Sequence, residues 1–210
     1  MLEIQNLTYQ IDQEILFKDL SFTVEDGHSL LMTGPSGGGK STILKIIARL
    51  VGIQKGEVSL NQQDIYDLPI ETYRQRVSYA AQSAQLFGQT IRDNLDLPFL
   101  IRNLPIDQAK EKAGLEQMEL SDKYLDKPIN DLSGGEKQRV GVLRNLIFPP
   151  DVLLLDEIST GLDAKTKSKI WEFIDKLQAE HQFCLITVSH DQGEIDRAEN
   201  KIVIGGGSDD

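Results

Sequence analysis

Eight consecutive residues, Gly34-Pro35-Ser36-Gly37-Gly38-Gly39-Lys40-Ser41, follow the P-loop spacing GxxxxGK[ST]. Glycines at this spacing let backbone N–H groups turn inward around a phosphate chain, and the N-terminus of a following helix adds a favourable dipole. Lys40 is placed to reach β- and γ-phosphates, Ser41 to offer its hydroxyl to Mg²⁺, and Thr42 to contact the α-phosphate side. In isolation the segment would be a glycine-rich turn with an exposed lysine. A second element of the same chemistry is Val152-Leu153-Leu154-Leu155-Asp156-Glu157. Four apolar residues make a buried parallel strand, and two carboxylates stand where it emerges. Asp156 suits a hydrated Mg²⁺. Glu157, one residue on, points differently and suits a general base that polarises water. The third signal is Leu132-Ser133-Gly134-Gly135-Glu136-Lys137-Gln138-Arg139. Ser133 and Glu136 have capping-box spacing, so a helix starts here. Two glycines in its first turn cost roughly 1 kcal/mol each relative to alanine. That cost has a purpose if bare N–H groups must meet an anion. The chain thus carries two anion-binding helix starts and one P-loop lysine.

The elements around these residues are those of a parallel α/β sheet. Leu2, Ile4 and, less regularly, Leu7 and Tyr9 mark a first strand, and Leu20, Phe22 and Val24 alternate with polar residues in a second. Asp26-Gly27 is a turn signal. Ser29–Thr33 is a short apolar strand running into the glycine loop, and Ile43, Ile46, Ile47 and Leu50 follow at helical spacing. Strand, glycine loop and helix form one βα unit. From about Leu86 to Asp131 no buried-strand run occurs, prolines punctuate the chain, and Ile106–Leu120 has helix-forming composition. This stretch reads as a small helical insert. Helices are predicted near Gly135–Leu146 and Ala164–Glu180, strands at Val152–Leu155, Phe183–Val188 and Lys201–Ile204, and a short acidic helix after Ser189-His190. The strands before and after the insert are expected to share one sheet. Cys184, Phe173, Ile174 and Trp171 read as core packing.

Composition narrows the classes. Among 210 residues, 22 basic and 33 acidic side chains leave a formal charge of −11. Phosphate backbones select clustered Lys and Arg, so no nucleic-acid partner is expected. The longest apolar runs are four residues, whereas a membrane-spanning helix needs about 20. The single cysteine excludes an intrachain disulfide and a cysteine-built metal site, which favours a reducing cytosol. No secretory signal pattern opens the chain.

Together, GPSGGGKS, LSGGEKQR and VLLLDE resemble the motifs of the ATP-binding cassette (ABC) ATPases, in the order that family has them and across essentially the whole chain. The resemblance implies a P-loop NTPase fold with a RecA-like parallel sheet core, an N-terminal antiparallel β subdomain and a helical insert. It implies a single domain over 1–205, with the β-subdomain and core at about 1–85 and 132–205 and the helical subdomain at about 86–131; the linker-like composition of Gly205–Asp210 leads us to expect a flexible tail at 206–210. It implies ATP and Mg²⁺ as cofactors. Tyr9 matches the aromatic that stacks on adenine, with a plain strand tyrosine as the alternative. Gln82 matches the Q-loop glutamine that contacts Mg²⁺ and joins core to insert. Ser159-Thr160-Gly161-Leu162-Asp163 matches the D-loop, with Ile158 standing where the family has proline. His190 matches the switch histidine at the γ-phosphate. The family works as head-to-tail pairs, so the P-loop of one copy is expected to face Ser133–Glu136 of a second across ATP. Lys40, Glu157 and His190 are then the catalytic group.

Within the family, the chain looks like a minimal transporter ATPase: it shows no second cassette, no long heptad insert and no further C-terminal domain. The stretch TYRQRVSYAAQSAQLFGQTIRDNLDLPFLIRN, with LSGGEKQRVGVLRNL and LLLDEISTGLD, resembles the ATP-binding subunits of Fet-type iron exporters. That resemblance implies a separate small permease, a place on the inner face of the cell membrane, and iron export linked to oxidative-stress resistance. The alternatives are another small-substrate transporter cassette, a soluble ATP switch acting on DNA or ribosomes, and a non-hydrolysing module. The charge counts against the switch. Glu157 and His190 count against the non-hydrolysing module. Leu86, Phe87, Phe99 and Leu100 read as an exposed apolar surface for the permease, or else as packing of the insert.

Overall fold

A computed structural model describes residues 1–205; the expected tail at 206–210 lies outside the described residues. The chain folds as two compact units, one formed by 1–79, 151–157 and 182 onward, the other by 80–150 and 158–181.

The first unit holds two sheets. β1 (Leu2–Ile11) and β2 (Glu14–Val24) form a hairpin, and β4 (Lys55–Leu60) and β5 (Gln63–Asp64) extend it into an antiparallel sheet of order β2-β1-β4-β5. Leu2 and Ile4 pair with Val24 and Phe22 on one side and with Leu60 and Val58 on the other. The irregular spacing of Leu7 and Tyr9 has a cause. The register shifts after Ile4, and Asn6 takes a left-handed backbone (φ 51°) with its N–H on the Ser21 hydroxyl at 2.8 Å. A bulge of this kind adds a residue and re-aims the side chains beyond it.

The second sheet has order β6-β7-β8-β3-β9, with β3 (Ser29–Thr33), β6 (Val77–Ala80), β7 (Val152–Asp156), β8 (Cys184–Val188) and β9 (Lys201–Val203). β7 pairs parallel with β8, and β3 parallel with β8 and β9. The strand leading into the glycine loop and the strands after the insert therefore share a sheet, as expected; β1 and β2 belong to the other one. Every residue of β7 and β8 is buried, which is why they read as unbroken apolar runs. α1 (Lys40–Ile47) packs Ile43, Leu44, Ile46 and Ile47 into the core with Met32, Leu154 and Ile186. Cys184 belongs to that core, and burial pushes its thiol up to about 11. α2 (Ile70–Arg76) joins β5 to β6 through Tyr73, whose hydroxyl donates to the Ile47 carbonyl at 2.6 Å. The short elements β4, β5, α2 and β6 leave no period long enough to read from sequence.

The second unit is helical: α3 (Ile91–Leu100), α4 (Gln108–Gln117), α5 (Gly134–Leu146) and α6 (Ala164–His181). Ile91, Leu95, Leu115, Met118, Leu143 and Leu146 are buried. α3 and α5 each begin with a capping box, on Thr90/Asp93 and Ser133/Glu136. Phe99, expected to be exposed, is instead buried, its ring edge-on to Phe148 at 4.9 Å. It takes the inward face of α3, and Leu100, one residue later, takes the outward face.

Candidate functional site

In the first unit the glycine loop joins β3 to α1. Gly34 has φ 129°, and a Cβ there would stand 2.0 Å from the Ile204 carbonyl oxygen. Gly39 has φ 90°, and a Cβ there would stand 2.8 Å from the Phe17 ring. Neither position admits another residue. No side chain caps α1, so its first N–H groups remain for an anion. Pro35, Ser36 and Gly37 are exposed, Gly38 half-buried, and Thr42 lies in the first turn of the helix. The Lys40 side chain is buried and curls within the loop, its Nζ donating to the carbonyls of Gly34 (2.8 Å) and Pro35 (2.7 Å). Burial pulls its ammonium below the usual lysine range, against the opposing pull of Glu157 and Asp156.

The end of β7 meets the start of α1. Ser41 Oγ donates to Asp156 Oδ1 at 2.9 Å, and the Tyr79 hydroxyl donates to Asp156 Oδ2 at 2.8 Å. Burial, and then the bond to Asp156, raise the Tyr79 phenol above its ordinary value. Directly after Asp156 the backbone of Glu157 turns left-handed (φ 50°), with its N–H on the Val188 carbonyl at 3.0 Å. A non-glycine residue in this region costs on the order of 1 kcal/mol, and such strain concentrates at working sites. The turn carries the Glu157 carboxylate to His190, 3.3 Å between Oε1 and Nε2. Tyr9 is half-buried and stacks on Phe17, ring centroids 6.0 Å apart. Phe17 also covers Gly39, so one aromatic pair reaches from the hairpin to the residue that precedes α1.

The remaining candidates lie in the second unit. Gln82 is exposed, two residues beyond β6. Ser133 Oγ accepts from the Glu136 N–H (3.2 Å), and Glu136 accepts from the Ser133 N–H (2.7 Å) and from Lys127 (3.1 Å). Gly134 is exposed, and a Cβ there would meet open space; at Gly135 it would reach only Thr166, at 3.5 Å. Nothing among the described residues therefore demands glycine at 134. Asp163 caps the start of α6 through Thr166, whose two bonds hold its carboxyl below the usual range. Ile158, in place of proline, is buried.

Residues 17–160 match the family described as ABC transporter. The chain belongs to the ABC transporter family. The "Probable iron export ATP-binding protein FetA" of Escherichia coli (strain K12) is 42% identical over 97% of this chain and 91% of that protein. The "Spermidine/putrescine import ATP-binding protein PotA" of Mycoplasma capricolum is 34% identical over 97% of this chain but 58% of its own length. Among solved structures, a dimeric ATP-binding cassette in a post-hydrolysis state, bound to ADP and Pi, superposes with TM-score 0.86 at 28% identity, covering 97% of this chain and 94% of that one. The protein is thus an ABC ATPase, the ATP-binding subunit of a transporter, with the P-loop NTPase fold.

For an ABC ATPase the donor set around Asp156 is chemically apt for Mg²⁺. Ser41 and Asp156 offer hard oxygen ligands at adjoining ends of α1 and β7, and Mg²⁺ takes one or two protein oxygens with phosphates and water. Among the described residues no group of three His, Cys, Asp or Glu side chains is placed to hold a metal without such help. Sequence reading passed over Tyr79 and Phe17. Their one signal is that each is an aromatic in a strand that runs to the site. It also passed over Asn94, fully buried in α3, which holds Phe87 at both its N–H (3.1 Å) and its carbonyl (2.8 Å). Arg144 bonds Asn94 and the Gln85 carbonyl, both at 3.0 Å, and lies over the Phe87 ring. Phe87 itself stays 41% exposed.

Proposed function

We propose that this ABC ATPase powers the export of iron through a separate membrane permease, working as a pair of copies with ATP and Mg²⁺ between them. The observation that carries the cargo and direction is the 42% identity to the FetA protein over nearly the whole of both chains. The dimeric state of the solved cassette supports the pairing. No helix among the described residues is long and apolar enough to cross a membrane, which supports a permease on another chain. The exposed ring of Phe87, clamped by Asn94 and Arg144, supports a docking role for that loop.

In this reading Lys40 and the backbone N–H groups of Ser36–Ser41 hold the β- and γ-phosphates, and Thr42 the α-phosphate side. Tyr9 stacks on adenine. Ser41 and Asp156 would hold Mg²⁺, which would supply charge neutralisation to the phosphates, with Gln82 carried over from the family resemblance as its further contact. Glu157 orients the attacking water and takes its proton, and His190 holds the γ-phosphate. In the second copy Ser133 and Glu136 cap the start of α5, Gly134 and Gly135 present their N–H groups to the same phosphates, and Asp163 lies at the contact. Phosphoryl transfer needs such positioning and charge cover more than covalent chemistry.

The test is cellular iron in a strain lacking the gene. After an iron load it should retain more iron than the parent, with recovery on complementation by wild type and none by Glu157→Gln. Equal iron in all strains, with altered uptake of a polyamine or other solute, overturns the iron assignment and leaves the ATPase intact.

A further inference from the structure

Asp156 receives two hydroxyl donors, one on each oxygen. Ser41 from α1 takes Oδ1 at 2.9 Å, and Tyr79 from β6 takes Oδ2 at 2.8 Å. The proposed metal role uses Ser41 and leaves Tyr79 without a function. The phenol comes from the strand beside β7 in the sheet, three residues before Gln82. Its ring is partly buried against the first unit's core, and the carboxylate it bonds is buried as well. A carboxylate at a strand end turns about two side-chain torsions. A donor anchored by a packed ring removes that freedom, and a hydrogen bond to a charged acceptor is among the stronger ones. With Oδ2 so occupied, Oδ1 is kept on the Ser41 side, where these two residues would hold the metal.

We propose that Tyr79 is a positioning residue, which fixes Asp156 in the rotamer that accepts the metal of the nucleotide complex. The proposal rests on the Mg²⁺ reading of Asp156 above. It assigns to a strand aromatic a part in metal affinity that packing alone would not give it.

Tyr79→Phe removes the hydroxyl and keeps the ring. Mn²⁺ serves as the probe, titrated against wild type and variant with a non-hydrolysable ATP analogue and followed by the EPR signal of free Mn²⁺. Wild type should bind Mn²⁺ in the presence of analogue, and Tyr79→Phe should bind it about ten- to hundredfold more weakly, as expected for losing one hydrogen bond to a charge. Analogue affinity in EDTA should stay within about twofold, since the P-loop contacts are untouched. 4-Aminophenylalanine at position 79, which restores an N–H donor on the same ring, should recover most of the metal affinity. Unchanged or tighter Mn²⁺ binding in Tyr79→Phe overturns the proposal, and so does equal weakening with 4-aminophenylalanine. If wild type shows no analogue-dependent Mn²⁺ binding, the Mg²⁺ reading itself fails and the proposal fails with it.

Discussion

Glu157 follows a buried strand, sits in a left-handed backbone and meets His190 at 3.3 Å. Each fact alone has a structural explanation. Jointly they describe a carboxylate turned out of the strand direction at local cost and delivered to an imidazole beside the glycine loop's strand. Glu157→Gln keeps the shape and removes the base. Nucleotide binding should persist while kcat for ATP falls by roughly 10²–10⁴-fold, the usual contribution of a general base. Steady-state phosphate release with the permease present measures it, and near-normal turnover would exclude Glu157 from that role. Lys40 shows the complementary logic. A buried ammonium with a lowered proton affinity is held by two loop carbonyls, which phosphate oxygens could replace.

Two helices carry predictions of their own. α5 starts with a satisfied capping box, and a side chain at Gly134 would point into open space. Gly134→Asp should therefore fold at least as well as wild type, since an acid in a first turn gains about 0.3–1 kcal/mol from the helix dipole. It should nevertheless abolish ATP-driven dimerisation of a Glu157→Gln background, because the new carboxylate would repel phosphate. Light scattering with and without ATP reads this, and a surviving dimer would remove the signature segment from the interface. In α4, Glu111 is fully buried, with both carboxylate oxygens lacking a hydrogen-bond donor, as does Oδ1 of Asp96 on α3. Burial, then a bond in which a proton on Glu111 is donated to Asp96 and so shared between them, and then the Asp96 charge, push Glu111 up to about 8, with Arg92 opposing and Asp107 adding to the rise. The folded chain thus binds a proton that the unfolded chain has released. Stability is full below about pH 4.5, falls as pH rises toward 8, and levels off beyond. Glu111→Gln should flatten this dependence and exceed wild type by roughly 2–5 kcal/mol at pH 9, with little difference at pH 4.5. Urea midpoints at the two pH values check it, and parallel pH profiles would exclude the shared proton.

At the scale of the whole protein, a net charge of −11 disfavours self-association until a ligand intervenes. Bound nucleotide with its metal would then be part of the interface. The proposed permease contact would rest on different physics. Phe87 offers an apolar ring on a loop whose backbone is fixed by a buried asparagine, so presenting it costs little ordering entropy on docking. Phe87→Asp should leave the ATPase of the isolated protein unchanged and weaken recovery of the permease in a detergent pull-down by at least about tenfold, as expected for an aromatic anchor. Undiminished recovery would place the docking surface elsewhere.

The features legible in the sequence are those whose cause is local. The phosphate loop shows because glycine spacing and a following helix are contiguous in the chain. The α5 start shows because its cap spans three residues, and β7 and β8 show because burial on both faces leaves an apolar run. The division of strands between two sheets was not legible for short elements such as β4 and β6, whose place is set by partners far along the chain. Nor was the reason for the irregular β1, which lies in a hydrogen bond from Asn6 to Ser21. Phe99 and Leu100 are adjacent and equally apolar; a helix sends one inward and one outward, and only packing against Phe148 decides which. Tyr79 meets Asp156 across 77 positions, and Glu111 meets Asp96 across two helices. Periodicity and composition record what each segment prefers by itself, whereas the partner of a hydroxyl or a carboxyl is chosen by how distant segments pack. For that reason the sequence by itself determined the glycine loop and the strands and helix starts around it, and the tertiary structure decided which distant side chains meet them.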